Sequence, residues 1–319
     1  MTTITHRLAA VSLLFLALSC ADGADEFRPV PLRAEIKGTL PMTGLVFWST
    51  SEHIQSPAIS MEFARKYDND PRLAFLEVGF GLWAEYHVYD PGEKLGVNFP
   101  DKLFQAEFLR HMAKEFKVTR WLISKDAHVA DRTPFKAMPD LLTLPFGIFD
   151  DTFHRAWKPG YNRTGGDFFG PDRWQRAPEG GEQLMDSADF AHRIGGQWRS
   201  QASAFHISFM IADQWPRWMK EDELVRHSAA CGYRFKVERF EASESTARVT
   251  ISNIGIAPIY YNAWPAVNEV RAAGSLLGLL PGERRNFTIT SGGTAPALTI
   301  ESDRLIPGQR IGFESELNP

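Results

Sequence analysis

Two patterns of apolar residues divide this chain near residue 231. Before that point, apolar runs that suit buried strands alternate with segments in which apolar residues recur at helical spacing. The clearest strand is Leu73–Val78, and the clearest helix runs from Asp101 to Phe116, with Phe or Met at every fourth position from Phe104. Such alternation predicts a parallel sheet flanked by helices.

Six candidate strands lie in this first part, near residues 45, 75, 121, 145, 180 and 206. A TIM-type (β/α)8 barrel typically needs about 250 residues, and the segment 22–231 is shorter. Counted backwards from the last, the six become strands three to eight. Residues 22–41, a polar linker or helical edge, leave no room for the first two βα units. The prediction for 22–231 is a TIM-type barrel that is incomplete or open, is completed by a partner, or comes from a gene model without its beginning.

The segments between these strands give further predictions. Short helices are expected over 59–67, 187–197 and 216–230. The stretch 157–178 is rich in glycine and aromatic residues and predicts a long loop. Trp174 in this loop is a candidate for stacking against a sugar, and the alternative is a loop anchored by its own aromatic residues.

Beyond residue 231, short apolar runs are separated by Gly, Pro and Asn turns, with no helix between them. The predicted strands are 233–240, 247–253, 258–261, 285–290, 297–300 and 310–313. Many short strands with frequent turn signals are typical of a β-sandwich. Residues 232–319 are therefore predicted to form an all-β sandwich domain.

Residues 1–21 have the composition of an export signal, in which His and Arg precede the apolar run Leu8–Leu18 and small residues follow it. The run is too short for a membrane span. Ala17-Leu18-Ser19-Cys20 also resembles a bacterial lipobox with Cys20 as the lipidated residue. The sequence predicts export to the periplasm, the outer membrane or the outside of a bacterium, either freely secreted or attached to a membrane through Cys20.

Composition and missing motifs narrow the chemistry. The net charge of −4 gives no basic footprint for nucleic acid. Once the signal is removed, Cys231 is the only internal cysteine, so neither an intrachain disulfide nor a cysteine-based metal site is expected. No phosphate loop, dinucleotide fingerprint, nucleophile-elbow serine or zinc-helix motif occurs. Asp150, Asp151, His154 and His87 match no specific ligand spacing, so no metal and no cofactor are predicted.

The end of the strand 73–78 carries the most distinctive chemistry. It continues as Gly-Leu-Trp-Ala-Glu-Tyr-His, which places a carboxylate among aromatic residues where the strand ends. Catalytic groups of α/β barrels lie at the C-terminal ends of strands. Glu85 is therefore a catalytic candidate, and Trp83, Tyr86 and His87 are candidate substrate contacts. The alternatives are a structural carboxylate paired with an arginine and a histidine that satisfies a loop carbonyl.

A second carboxylate follows a later strand. Glu182 comes directly after Gly180 and Gly181, which allow close backbone approach or positive φ at a crowded strand end. The alternative is a turn with solvated glutamates. Asp150, at the end of another predicted strand, is a candidate substrate-binding residue, as is Trp174.

Several short motifs occur in a fixed order, namely Tyr-Asp-Asn-Asp-Pro-Arg at 67–72, the segment 78–87, Pro-Glu-Gly-Gly-Glu at 178–182, Gly-Tyr-Arg-Phe at 232–235 and Asn-Ile-Gly-Ile-Ala-Pro at 253–258. Together they resemble a family of secreted bacterial proteins of unknown function. That family is built as a glycosidase-like barrel with a C-terminal sandwich and is similar to the clan A glycoside hydrolases. The resemblance covers about residues 42–318.

The resemblance implies a carbohydrate substrate and two catalytic glutamates. In clan A barrels the acid/base follows strand four and the nucleophile follows strand seven, positions that fall here on Glu85 and Glu182. A retaining glycosidase needs two carboxyls about 5–5.5 Å apart, one protonated and one ionised. This chain departs from the clan because no Asn precedes Glu85 and the first two strands are missing. The second hypothesis is therefore a non-catalytic carbohydrate-binding or cell-surface protein on a degenerate barrel.

Overall fold

The computed structural model describes residues 26–32, 57–81, 86, 92–129, 131–150, 153, 158–182, 198–211 and 219–315. Its first part contains β1 (Arg28–Pro29), α1 (Pro57–Tyr67), β2 (Phe75–Val78), α2 (Lys102–Glu115), β3 (Arg120–Ser124), β4 (Gly147–Asp150), α3 (Lys158–Phe169), β5 (Glu179–Gly181) and α4 (Glu221–Ser228). Residues 198–204 are also helical. Short 3-10 helices occupy Lys125–His128, Pro139–Thr143 and Arg173–Gln175.

The second part is built from β6 (Phe235–Ala242), β7 (Ala247–Asn253), β8 (Trp264–Val267), β9 (Val270–Arg271), β10 (Arg284–Ile289), β11 (Leu298–Glu301) and β12 (Glu314–Ser315). The protein is therefore of mixed α/β class, with a parallel sheet in the first part and antiparallel sheets in the second, as the sequence pattern predicts.

Strands β2 to β5 form one parallel sheet in chain order, which confirms the predicted strands near 75, 121, 145 and 180. The segment 208–211 extends the sheet beyond β5. The Ser208 amide donates to the Glu179 carbonyl at 2.7 Å, and the Ile211 amide donates to the Gly181 carbonyl at 2.8 Å. The candidate strand near 45 lies outside the described residues. The structure thus shows a parallel sheet of four strands and one extended segment. The closure of this sheet into a barrel stays a prediction.

Helix α2 covers one face of this sheet and begins where predicted. The Asp101 carboxylate accepts the Phe104 amide at 2.8 Å, which caps the helix, and the helix ends at Phe116. Phe108 and Met112 are buried against sheet residues such as Ile123, whereas Phe104 is 40% exposed. The apolar stripe is therefore shorter than the sequence suggests, because its first aromatic residue faces solvent.

The opposite face of the sheet is concave. Phe75 of β2 stacks on Phe209 of the segment 208–211, with ring centroids 4.8 Å apart. In a flat sheet the two strands would be four spacings, or about 19 Å, apart. Two rings that lean toward each other do not cover that distance, so the sheet must curl. The curl gives the sheet the sense of curvature of a barrel wall.

Two sheets, antiparallel except for the parallel pair β6 and β12, make up the second part and share one hydrophobic core. In the larger sheet β6, β7 and β10 are neighbours, and β1 and β12 both pair with the outer edge of β6. The smaller sheet is formed by β8, β9 and β11. The described part of the predicted linker 22–41 therefore belongs to this module, because β1 pairs with β6 and Leu32 is buried in the shared core.

Two sequence predictions were wrong in detail. The predicted loop 157–178 contains helix α3, whose Gly165 packs where a Cβ would lie 3.3 Å from the Lys125 Cβ. The sequence pattern treats this glycine as a loop signal, whereas in the structure its missing side chain permits close packing of the helix. The predicted strand 258–261 is not a strand, and β8 follows it instead, with Pro265 inside the strand hiding it from the pattern. The helix predicted over 187–197 lies outside the described residues.

The two-sheet module packs under the N-terminal ends of the parallel strands. The Tyr261 hydroxyl donates to the Ala74 carbonyl and accepts the Arg120 amide at 3.1 Å. The Arg304 guanidinium donates to the Leu73 carbonyl. Ala74 and Arg120 lie at the starts of β2 and β3. The C-terminal strand ends, where the candidate catalytic residues follow, therefore face away from the module.

Candidate functional site

Glu182 lies at the C-terminal end of β5 and its backbone is held on both sides. Its amide donates to the Asp150 carbonyl at 2.8 Å, and its carbonyl accepts the Phe153 amide at 3.0 Å. The residue is 6% exposed. Strand alternation assigns it to the same face as Gly180, which is the concave face because a Cβ on Gly180 would point at Phe209. Glu182 is thus a buried carboxyl at the strand end where barrel enzymes carry catalytic groups.

The two glycines before Glu182 are both required by the geometry. A Cβ on Gly180 would overlap the Phe209 ring. Gly181 has φ +142°, and a Cβ there would overlap the Asp150 carbonyl oxygen. Close approach and positive φ are the two uses of glycine that the sequence suggested for this pair. The Gly-Gly pair therefore lets β5 lie against β4 and the Phe209 ring while delivering Glu182 to the rim.

Tyr86 is completely buried and is the part of the 82–91 segment that the structure describes. It packs edge-on against Phe80 at 5.4 Å and Phe99 at 6.5 Å, and burial raises the pKa of its hydroxyl. A ring in this position contributes to the core of the helix-covered face. Direct contact between Tyr86 and a sugar would need this packing to open. Trp83, Glu85 and His87 lie outside the described residues.

The backbone of Tyr86 is fixed near the end of β2. The Tyr86 amide donates to the Phe80 carbonyl at 2.9 Å, and Tyr86 has a left-handed φ of 54°. Phe80 is two residues beyond β2. This bond fixes Tyr86 near the C-terminal end of β2, the end of the sheet at which Glu182 also lies.

Asp150 is also buried, and its carboxylate serves the fold. The Asn162 side-chain amide on α3 donates to Asp150 Oδ2 at 3.1 Å. Both side chains are fully buried between β4 and α3. The Asp150 carboxylate therefore faces the helix, whereas its backbone carbonyl supports Glu182. The predicted substrate contact at Asp150 would need an opening that this packing does not provide.

Trp174 lies at the other end of the sheet from Glu182. It precedes β5, its carbonyl accepts the Tyr260 hydroxyl at 2.5 Å, and its ring stacks on His206 with centroids 3.5 Å apart and planes at 9°. His206 in turn shares a hydrogen bond of 2.7 Å with the Ile256 carbonyl. This arrangement joins the parallel sheet to the two-sheet module. The structure thus brings Asp150 next to Glu182 and leaves Trp174 at the opposite end.

A buried ion pair beside β5 was missed by the sequence reasoning. Lys125, directly after β3, reaches Glu179, the first residue of β5, and their side chains are 0% and 8% exposed. The Lys125 ammonium lies 4.8 Å from the centre of the Phe205 ring. Burial raises the pKa of Glu179, and the Lys125 charge opposes this rise. The sequence feature that could have indicated this pair is Lys-Asp directly after an apolar strand, at the same rim as Glu182.

Another carboxylate, Glu77, lies on the concave face by strand alternation with Phe75 and is half-buried. It was read in the sequence only as part of the strand. Glu77 pairs in register with Leu122 of β3. When this level is followed across β4 to β5, it lies four residues before Glu182 along the strand direction. Glu77 therefore lies deeper in the concave face than the rim, and it is a useful comparison for Glu182.

Within the described ranges, no group of His, Cys, Asp and Glu side chains is arranged to hold a metal ion. In the same ranges, no helix has the length and apolar character needed to cross a membrane. Comparison with models of known protein families, with curated proteins and with solved structures finds no match for this chain.

Proposed function

We propose that this protein is an exported glycoside hydrolase that acts on a poly- or oligosaccharide with retention of configuration. The observation that carries the proposal is the placement of Glu182. Glu182 is a buried carboxyl at the C-terminal rim of a curled parallel sheet. It directly follows Gly180 and Gly181, two positions at which a side chain would overlap neighbouring atoms. This is the position in which an α/β barrel presents a catalytic side chain.

The proposed fold is a glycosidase-like barrel of the TIM type, followed by a β-sandwich. Its support is the curl of the parallel sheet, in which Phe75 and Phe209 meet across three intervening strands. Two antiparallel sheets with one shared core support the sandwich. In this reading β2 is barrel strand four and β5 is strand seven.

In the proposed reaction, ionised Glu182 attacks the anomeric carbon and protonated Glu85 gives its proton to the leaving oxygen. Glu85, after this transfer, acts as the base that activates the water which hydrolyses the glycosyl-enzyme. The two carboxyls need different pKa values, which requires different surroundings. Glu85 stands between Trp83 and Tyr86 in the sequence, and such an aromatic setting supports a poorly solvated acid/base.

The test is a screen of the mature protein against polysaccharides and aryl glycosides, with hydrolysis and binding measured side by side. Glu182→Gln should abolish turnover, and Glu85→Gln should lower it by about 10²–10⁴-fold. Glu238→Gln, at an exposed position of β6, is the matched control and should leave the rate unchanged. Undiminished turnover in Glu182→Gln or Glu85→Gln would remove that residue from the mechanism. NMR of the first-formed anomer tests retention.

The second candidate is a non-catalytic carbohydrate-binding protein on a degenerate barrel. It is favoured by Ala84, which stands directly before Glu85 where many clan A enzymes carry an asparagine. Sugar binding without hydrolysis, unchanged in Glu182→Gln, supports this candidate and refutes the enzyme.

We further propose that the protein is exported by a bacterium and attached to a membrane through lipidated Cys20. The apolar run Leu8–Leu18 and the lipobox-like residues before Cys20 support this. Mass spectrometry of the N-terminal peptide tests it directly, because acylation adds the mass of the fatty acyl groups to Cys20.

A further inference from the structure

The chain enters the folded protein at one end of the two-sheet module. β1 pairs antiparallel with Glu241 and Ala242, the last residues of β6, and the Val30 amide donates to the Phe240 carbonyl at 2.9 Å. The Arg248 guanidinium lies 3.8 Å from the centre of the Phe27 ring. Residues 27–30 of the N-terminal segment are therefore fixed to the module.

This entry point is the end of the module that lies farthest from the parallel sheet. β6 starts at Phe235, shortly after Gly232, whose amide donates to the Ile207 carbonyl in the first part. It ends at Ala242, about 23 Å further along the strand. Because β1 runs antiparallel to β6 and Arg28 pairs with Ala242, Phe27 lies past the Ala242 end of β6. We call this the distal end of the module.

The candidate site lies beyond the other end. The module contacts the N-terminal ends of β2 and β3 through Tyr261 and Arg304. Glu182 follows the C-terminal end of β5, one strand length further on. The order along the molecule is the distal end, the two-sheet module, the strand N-termini and then the rim with Glu182. That rim is on the order of 40 Å from the distal end, from the lengths of β6 and the parallel strands.

The spacing between Cys20 and Phe27 limits how far an anchor can be from the module. Seven residues span at most about 25 Å when fully extended. An acyl chain on Cys20 would therefore keep the distal end close to the lipid headgroups. We propose that the distal end of the two-sheet module faces a lipid bilayer and that the candidate site faces away from it. The module then acts as a spacer that presents the site to substrates outside the membrane.

The orientation can be measured with two labelled positions on the full-length, acylated protein. Glu244→Cys lies in the exposed turn after β6 at the distal end, and Asp131→Cys lies in an exposed turn after β3 on the rim side. Cys231 can stay in place because it is buried and burial raises the pKa of its thiol to about 12, which makes it unreactive. Each variant is labelled with a donor dye and reconstituted into phospholipid vesicles that carry an acceptor on the headgroups.

The expected result is strong loss of donor emission at position 244 and little loss at position 131. Equal loss at both positions, or stronger loss at 131, would overturn the proposed orientation. Cys20→Ala is the control and should no longer float with the vesicles. A wild-type protein that does not float, or whose N-terminal peptide lacks acyl mass, would refute the membrane anchor.

The orientation does not depend on the proposed reaction. Hydrolysis of a soluble substrate by Cys20→Ala should equal that of the wild type, so the activity assay and the vesicle assay can fail separately.

Discussion

Lys125→Met tests whether the buried pair beside β5 behaves as an ion pair. Methionine keeps the approximate length of the lysine side chain and removes its charge. Glu179 then loses the ammonium group that contacts it, in surroundings where its own side chain is 8% exposed. Removing one partner of a buried pair leaves an uncompensated charge and typically costs about 3–5 kcal/mol.

The cost has a ceiling, because the protein can protonate Glu179 instead of burying its charge. Keeping a carboxyl with an unfolded pKa of about 4.3 protonated costs about 3.7 kcal/mol at pH 7 and about 1 kcal/mol at pH 5. The pKa of Glu179 is already raised by burial and is held down by Lys125, so the substitution raises it further. A carboxyl with a raised pKa stabilises the fold at low pH, and this contribution is lost as the pH rises from the unfolded to the folded pKa.

We therefore expect Lys125→Met to be destabilised by about 3–4 kcal/mol at pH 7 and to recover about 2.5 kcal/mol of this difference at pH 5. The assay is urea unfolding of variant and wild type at both pH values, with each difference taken at the same pH. Other titrating groups are common to the two proteins and cancel.

Two comparisons make the test specific. Lys136→Met removes an exposed lysine and should change stability by less than about 0.5 kcal/mol at either pH. The double variant Lys125→Met with Glu179→Gln has no ionisable side chain at this position, so it should lack the recovery of about 2.5 kcal/mol that Lys125→Met shows between pH 7 and pH 5. A loss below about 1 kcal/mol in Lys125→Met, or an equal loss at pH 5 and pH 7, would refute the reasoning.

Three further substitutions test other contacts. Gly181→Ala should cost at least about 2 kcal/mol in urea unfolding and abolish any hydrolysis, since a Cβ overlaps the Asp150 carbonyl at φ +142°; wild-type stability would contradict the assigned backbone. Tyr261→Phe leaves the Ala74 carbonyl without its donor and should cost about 1–2 kcal/mol in the same assay. Leu32→Ala should cost about 2–4 kcal/mol if the N-terminal segment belongs to the module core, and a neutral effect would show that it does not.

Much of the parallel sheet can be predicted from the sequence because its signals are local. β2 is a run of mostly apolar residues. Helix α2 is predicted by an Asp at its N-terminal cap and by Phe or Met at every fourth position. Predictions from local patterns were wrong or incomplete where contacts with residues distant in the sequence decide the structure. Gly165 reads as a loop residue, but its missing side chain lets α3 pack on Lys125. β1 is two residues long and exists only because the edge of β6, more than 200 residues later, is there to pair with it.

The candidate site shows the same division. The glycine pair and the rim position of Glu182 follow from a strand-end pattern. The roles of Tyr86 and Asp150 do not, because a sequence does not say which side of the sheet a side chain takes after its strand ends. Tyr86 has a left-handed backbone, which sends its ring into the core. Asp150 meets Asn162, which comes from a segment that the sequence pattern reads as a loop.

The contacts along β5 explain how a position at the end of a three-residue strand can be well defined. Glu179 is held by the Lys125 ammonium from the helix-covered face, Gly180 by the Phe209 ring from the concave face, and Gly181 by the backbone of β4. Each of the three residues before Glu182 is thus fixed by a different neighbour. A functional side chain is precise only when its supporting residues are locked. Changes at Lys125 should therefore displace Glu182 as well as weaken the fold, so that activity falls at pH 7 even in the fraction of molecules that remain folded.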